Sequence, residues 1–169
     1  EAIASAKRLI KAKHTTALIM SANPLHRASE RLIRQTIDTT DLLIIFLTKP
    51  YHSNNLEYSL REEALTFFVN NFLPKNRVIV PLEQSYIFSG YNELIIDAIV
   101  TNNYGCDRLT FTKDHAGLGI FYDENSAKSI IDNLTDIAIE IKIESEYVYC
   151  NQCTTLVGKN IINRSVVSI

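Results

Sequence analysis

Two almost purely apolar runs, Thr16-Ala17-Leu18-Ile19-Met20 and Leu42-Leu43-Ile44-Ile45-Phe46-Leu47, constrain the fold more than any other feature of this chain. A strand with one wet face alternates apolar and polar residues. These runs do not alternate, so they read as strands covered on both faces, the pattern of a parallel sheet between layers of helix. We therefore expect strands over residues 15–20 and 41–47, with others over 77–81, 107–112 and 137–143. Helices are expected over 2–12, 25–37, 56–72, 90–102 and 126–134. Glu30 and Arg34 support the second helix at i,i+4, and Leu60, Ala64 and Phe67 read as the inward face of the third. A polar loop covers 48–55 and a turn covers 74–76. From Tyr147 the tail reads as irregular, with a final strand over 165–169. The β–α alternation makes the expected fold α/β, an open and mostly parallel sheet with flanking helices. No repeat, low-complexity tract or linker divides the chain, so residues 1–169 read as one domain.

Composition excludes several classes. The 169 residues are 46% hydrophobic, enough for a substantial core, and the net charge is −2 with lysine and arginine scattered. A nucleic-acid surface needs a basic excess or a stripe, so nucleic acid is not expected as a partner. No apolar run approaches the roughly 18 residues of a membrane span, and no signal-peptide pattern is present. The chain begins at Glu1 without methionine and reads as a fragment or a trimmed chain. Its three cysteines, Cys106, Cys150 and Cys153, are an odd number, which fits reduced thiols in a cytoplasm better than a disulfide framework.

The candidate site lies where strands end. In open α/β sheets, ligands sit beyond the carboxyl ends of the strands. Asn23-Pro24-Leu25-His26 follows the first strand there, and Asp114-His115-Ala116-Gly117 follows the fourth. Asn23 reads as an N-cap and Pro24 as the first helical residue. A helix start gathers unpaired N–H groups and positive potential, which attract phosphate or another oxyanion. His26, in the first turn, would add a hydrogen bond or a charge. The plainer alternatives are a capping role for Asn23, a surface or capping role for His26, and a strand-end loop pair for Asp114 and His115. His14 and His52 read as exposed loop residues; Arg61, on the long helix, reads as a solvated surface residue, with reaching the phosphates as the alternative. Gly117-Leu118-Gly119 lacks the Gly-Lys-Ser/Thr ending of a phosphate loop. Cys150 and Cys153 supply two thiolates, short of the four ligands of a structural zinc site, so zinc is not expected.

Four segments, in order, give the chain a resemblance to the catalytic domain of ATP sulfurylase (sulfate adenylyltransferase). Asn23-Pro24-Leu25-His26-Arg27-Ala28-Ser29-Glu30 is similar to the family pattern Gln-x-Arg-Asn-Pro-x-His-Arg-Ala-His-Glu. The stretch 86–98 with Asn103-Tyr104-Gly105-Cys106 resembles a segment ending Lys-Asn-Tyr-Gly-Cys. Lys113-Asp114-His115-Ala116-Gly117 resembles Gly-Arg-Asp-His-Ala-Gly, and Tyr149-Cys150-Asn151-Gln152-Cys153 resembles Tyr-Cys-x-x-Cys. The resemblance runs from about residue 3 to about residue 160. It implies a Rossmann-like nucleotidyltransferase fold and a reaction in which sulfate attacks the α-phosphorus of MgATP, giving adenosine phosphosulfate and pyrophosphate. It implies that Asn23 and His26 hold the ATP phosphates, with Asp114, His115 and the backbone of Ala116 and Gly117 on the opposite wall. His26 and Lys113 are the candidate catalytic residues. Magnesium is expected on the phosphates rather than in a protein cage. The expected partners are ATP and a small oxyanion acceptor, with a homo-oligomeric assembly, as the family often forms.

The departures fall on the acceptor side. Met20 and Ala22 stand where the family has glutamine and arginine, Lys113 where it has arginine, and Ser29 where it has a second histidine. Ile87 and Asn92 replace arginines, while Glu93 persists. Arginine offers a planar fork that matches a tetrahedral oxyanion; lysine offers a point charge. Zinc-binding members finish the cysteine segment with Cys-Pro-His, whereas this chain has Lys159-Asn160-Ile161-Ile162-Asn163. Two alternatives to sulfate adenylation stay open: a non-catalytic nucleotide-binding or interaction module, and adenylyl transfer to a different acceptor.

Overall fold

A computed structural model of the chain describes residues 1–49, 56–83, 90–112, 137–144, 147–150 and 155–158. The elements run α1 (Ala2–Ile10), β1 (Thr15–Met20), α2 (Arg27–Ile37), β2 (Leu42–Lys49), α3 (Tyr58–Phe72), β3 (Arg77–Glu83), α4 (Tyr91–Asn103), β4 (Arg108–Thr112) and β5 (Glu140–Glu144). Five strands form one sheet in the order β3-β2-β1-β4-β5, and every neighbouring pair is parallel. This is the expected Rossmann-like sheet. The order reverses direction between β1 and β4, which lie side by side with Leu18 opposite Thr110. That reversal is the switch point at which such sheets open a crevice.

The unbroken apolar character of β1 and β2 has the cause inferred from sequence. Leu42, Ile44 and Phe46 of β2 join Ala17, Ile19, Leu94, Ala98 and Leu109 in a core on one face. Leu43, Ile45 and Leu47 join Leu18, Leu32, Ile33, Leu65, Phe68 and Val69 on the other. Successive strand residues point to opposite faces, so a strand buried on both sides is apolar at nearly every position, with only the threonines Thr15, Thr16 and Thr48 as buried polar residues of β1 and β2.

Three expectations about the elements are corrected. The inward face of α3 is Arg61, Leu65, Phe68 and Val69, not Leu60, Ala64 and Phe67; Phe67 is 62% exposed. The two stripes lie one residue apart on the helix and both contain apolar residues, so spacing alone does not choose between them. The hydrogen bonds of Arg61, described below, do. The tail from Tyr147 is not wholly irregular: β6 (Tyr147–Cys150) pairs antiparallel with β7 (Thr155–Gly158). Tyr147, Val148, Tyr149, Leu156 and Val157 supply the aromatic and branched residues that strands favour. The last sheet strand begins at Glu140 rather than 137, after a tight turn closed by Ile139 N–H donating to the Ile137 carbonyl at 2.8 Å. The expected helix over 126–134, the final strand over 165–169 and His52 lie outside the described residues.

At the amino edge of the sheet, aspartates tie the strand entries. Asp41 Oδ2 accepts from the N–H groups of Lys13 and His14, both at 2.9 Å, and Asp107 Oδ2 accepts from Thr15 N–H at 3.0 Å. His14 is exposed as expected, with Nδ1 3.6 Å from Asp107 Oδ1. The two N–H groups, that of His14 first, hold the Asp41 carboxyl below the usual carboxylate range. The unfolded chain therefore binds the proton more readily. Asp41 adds stability above about pH 4, and that contribution disappears as the pH falls through the lower folded value. Asp41→Asn is expected to flatten the acid limb of a denaturation-midpoint-versus-pH curve and to leave its shape above pH 5 unchanged.

Candidate functional site

The first candidate segment leaves β1 at the carboxyl edge of the sheet. Ala22 is buried and has φ 48°, a left-handed conformation uncommon outside glycine. The Asn23–Pro24 peptide is cis. The helix then starts later than the sequence suggested. Asn23 is not the N-cap and Pro24 is not helical; the cap is His26, with φ −128° and ψ 169°, and α2 begins at Arg27. The imidazole does the capping chemistry: Nδ1 accepts from the Ser29 N–H at 3.2 Å. This satisfies one of the helix's orphan donors, the task assigned to Asn23 on sequence.

That bond also orients the imidazole. An Nδ1 that accepts from an amide leaves the ring proton on Nε2. His26 is exposed, and Nε2, 3.4 Å from the Ser29 hydroxyl, is the ring nitrogen left to meet a ligand at the helix start. Ser29, at the position of the family's second histidine, is used in holding the first: its hydroxyl lies 3.2 Å from Nδ1.

Asn23 turns the other way. Its Oδ1 accepts from the Leu56 N–H at 3.0 Å, linking the turn after β1 to the chain entering α3. Arg61 joins the same assembly. Its Nε donates to the Leu56 carbonyl at 3.0 Å, and its Nη1 donates to the Thr48 carbonyl at 3.0 Å and to the Ser21 carbonyl. It is 2% exposed, and the Tyr58 ring lies 5.5 Å from its guanidinium carbon. The reading of Arg61 as a solvated surface residue is corrected: two carbonyls at strand ends and one at the entry to α3 draw it inward. Burial lowers its pKa from the ordinary arginine value. The available sequence signal was periodic, since Arg61 is in register with the buried Leu65 and Phe68.

The second candidate segment follows β4. Lys113, Asp114, His115, Ala116 and Gly117 lie outside the described residues, but the strand that delivers them is described. Thr112 ends β4, which runs parallel to β1 as its direct neighbour. The two segments thus follow, in sequence, adjacent strands that end at the same edge. On α4, Glu93 and Asp97 are both buried.

Other groups are set aside by their surroundings. Burial pushes the Cys106 thiol up to about 12, so it is no nucleophile at neutral pH. Cys150 lies in β6, and Cys153 lies outside the described residues. Among the described residues no group of three or more His, Cys, Asp or Glu could hold a metal ion, and no helix is long and apolar enough to cross a membrane.

Comparison with known proteins bears on this arrangement. The ATP-sulfurylase family profile matches residues 3–166. A sulfate adenylyltransferase of Carboxydothermus hydrogenoformans is 32% identical over 141 residues, which cover 81% of this chain and 37% of that protein. One from a Psychrobacter species is 30% identical over 162 residues, covering 90% of this chain and 38% of that protein. The chain thus spans less than two fifths of the length of these relatives. Among solved structures, a hexameric APS kinase from Thiobacillus denitrificans superposes with TM-score 0.68 at 14% identity, over 94% of this chain and 30% of that one. A bifunctional NMN adenylyltransferase/ADP-ribose pyrophosphatase from Francisella tularensis superposes with TM-score 0.53 at 12% identity, over 82% of this chain and 38% of that one. At these identities the structural matches speak for the fold alone.

Proposed function

The chain belongs to the ATP-sulfurylase family, and we propose that it acts as an ATP-dependent adenylyltransferase, gripping the triphosphate of MgATP between the segments that follow β1 and β4. The observation that carries this reading is the adjacency of those two strands at the switch point of the sheet. Two short motifs far apart in sequence, both drawn from one family's pattern, follow strands that lie side by side.

In the proposed reaction an acceptor oxyanion, sulfate by analogy with the named relatives, attacks the α-phosphorus. The new P–O bond forms as the bond to the β-phosphate bridging oxygen breaks, and pyrophosphate leaves with the charge. No covalent intermediate with the protein is needed. The protein's task is positioning and charge stabilisation. The first-turn amides of α2 and the His26 Nε2–H would bind phosphate oxygens, and Asn23 would hold the turn beside them. Lys113 would supply the cation and Asp114, His115, Ala116 and Gly117 the facing wall. Magnesium enters as part of the MgATP substrate. We place the protein in the cytoplasm, where MgATP is available and a thiol such as Cys106 stays reduced. We propose a homo-oligomeric assembly on the family resemblance alone.

A second reading, nucleotide binding or transfer to an acceptor other than sulfate, draws on the departures. The Ala22 side chain faces the core, and Ser29 is occupied with His26. Sulfate-dependent exchange of pyrophosphate into ATP separates the two. Exchange supports sulfate as acceptor, and ATP binding without exchange supports the second.

His26 gives the sharper test of the phosphate site. His26→Ala removes both the cap and the Nε2–H; His26→Asn keeps a capping oxygen but no imidazole donor. Both are expected to weaken MgATP binding by about 1–3 kcal/mol in calorimetry, roughly five- to 150-fold. Only the alanine variant is expected to lose about 1 kcal/mol of fold stability as well. Unchanged affinity in both variants would remove His26 from the site.

A further inference from the structure

We infer that Arg61 is a positioning residue for the phosphate-facing turn, fixing residues 21–24 through hydrogen bonds to Ser21 and to the backbone of Leu56. The inference rests on the reading that this turn meets a nucleotide.

Arg61 is enclosed, yet among the described residues no carboxylate pairs with it. An enclosed guanidinium is costly, and an apolar residue of similar volume often serves a core better. What arginine adds is a rigid fork that places several bonds in fixed directions at once. Here these bonds go to three carbonyls: Ser21 just after β1, Thr48 in β2 and Leu56 just before α3. The circuit then closes. Leu56, held at its carbonyl by Arg61, donates its own N–H to Asn23 Oδ1. Ser21 and Asn23 are therefore anchored to a single arginine, one directly and one through Leu56. Between them lies Ala22, with its left-handed φ of 48°. An uncommon backbone conformation persists where its surroundings over-determine it, and the two anchors flank the residue that needs them. The same circuit fixes the Asn23 amide, with its oxygen committed to Leu56.

The test uses the full chain and three variants: Arg61→Lys, which keeps the charge without the fork; Asn23→Ala; and the double variant. In ligand-free protein, Arg61→Lys is expected to speed hydrogen exchange at the Leu56 amide about tenfold or more, while Ile44 in the central sheet stays protected. Each single variant is expected to weaken MgATP about tenfold. The double variant should be no more than about threefold weaker than either, because both break one circuit. Exchange at Leu56 that is unchanged in Arg61→Lys overturns the inference, as do affinity losses that multiply to about a hundredfold in the double variant. If the parent chain binds no MgATP, the nucleotide reading fails, and the Leu56 amide alone decides the role of Arg61. If Arg61→Lys does not fold, Leu56→Pro removes the N–H that Asn23 holds, together with the leucine side chain, and keeps the carbonyl that Arg61 holds. It should weaken MgATP about tenfold with little change in melting temperature, and unchanged affinity would count against the circuit.

Discussion

Phe46→Ala is expected to destabilise the fold by about 3–5 kcal/mol, the usual range for deleting a buried aromatic ring. Phe46 is fully buried in the middle of β2, and Tyr104 meets its ring edge-on at 5.2 Å between centroids. Its neighbours Ile44 and Leu47 sit in a strand held by parallel partners on both sides. The backbone there has little freedom to collapse into the space, so the cavity term adds to the lost transfer term. For a chain of this length the loss corresponds to a fall in melting temperature of roughly 6–20 °C. The control is Phe67→Ala, which removes the same ring from an exposed position and is expected to change stability by less than about 1 kcal/mol. Urea titration of both variants checks the assignment. A Phe67 loss as large as that of Phe46 would mean that the face of α3 turned toward the core had been wrongly identified.

That comparison also marks how far the sequence could be read. The parallel sheet was legible because double burial leaves a continuous apolar run, and neither β1 nor β2 contains a competing signal. The inward face of α3 was not legible, because Leu60 and Phe67 repeat at helical spacing as convincingly as Leu65 and Phe68. What separates the stripes is Arg61, whose partners are backbone carbonyls contributed by three separate segments. Carbonyls carry no residue identity, so no pattern of letters announces them. The site divided in the same way. That a turn after β1 would carry polar residues to the sheet's edge followed from the sequence. The exchange of roles between Asn23 and His26 did not, since either side chain can accept from an orphan amide. Which one does so depends on where the chain becomes helical.

Arg61→Met is expected to lower stability by about 3 kcal/mol, although methionine matches much of the arginine stem and removes an enclosed charge. Two effects oppose each other here. Deleting the charge relieves its desolvation cost, and in some proteins an apolar replacement of buried charges stabilises. That outcome requires the partners to be replaced too. In this chain the partners are the Ser21, Thr48 and Leu56 carbonyls, which no side-chain substitution removes. Ser21 and Leu56 are exposed residues and their bonds to Arg61 are part-buried, whereas the Thr48 bond is buried. A buried acceptor left without a donor costs about 1–3 kcal/mol, and the two outer bonds add about 0.5–1.5 kcal/mol each. The sum favours destabilisation, with a melting temperature lowered by roughly 6–12 °C. Calorimetry on this variant beside Phe46→Ala measures the two losses, and amide hydrogen exchange distinguishes their origins. Phe46→Ala weakens the core and should leave Leu56 exchanging at its native rate below the unfolding transition. Arg61→Met should release that amide at temperatures where the sheet is intact. A more stable Arg61→Met protein would mean that water satisfies all three carbonyls, and that the guanidinium is a net burden on the fold.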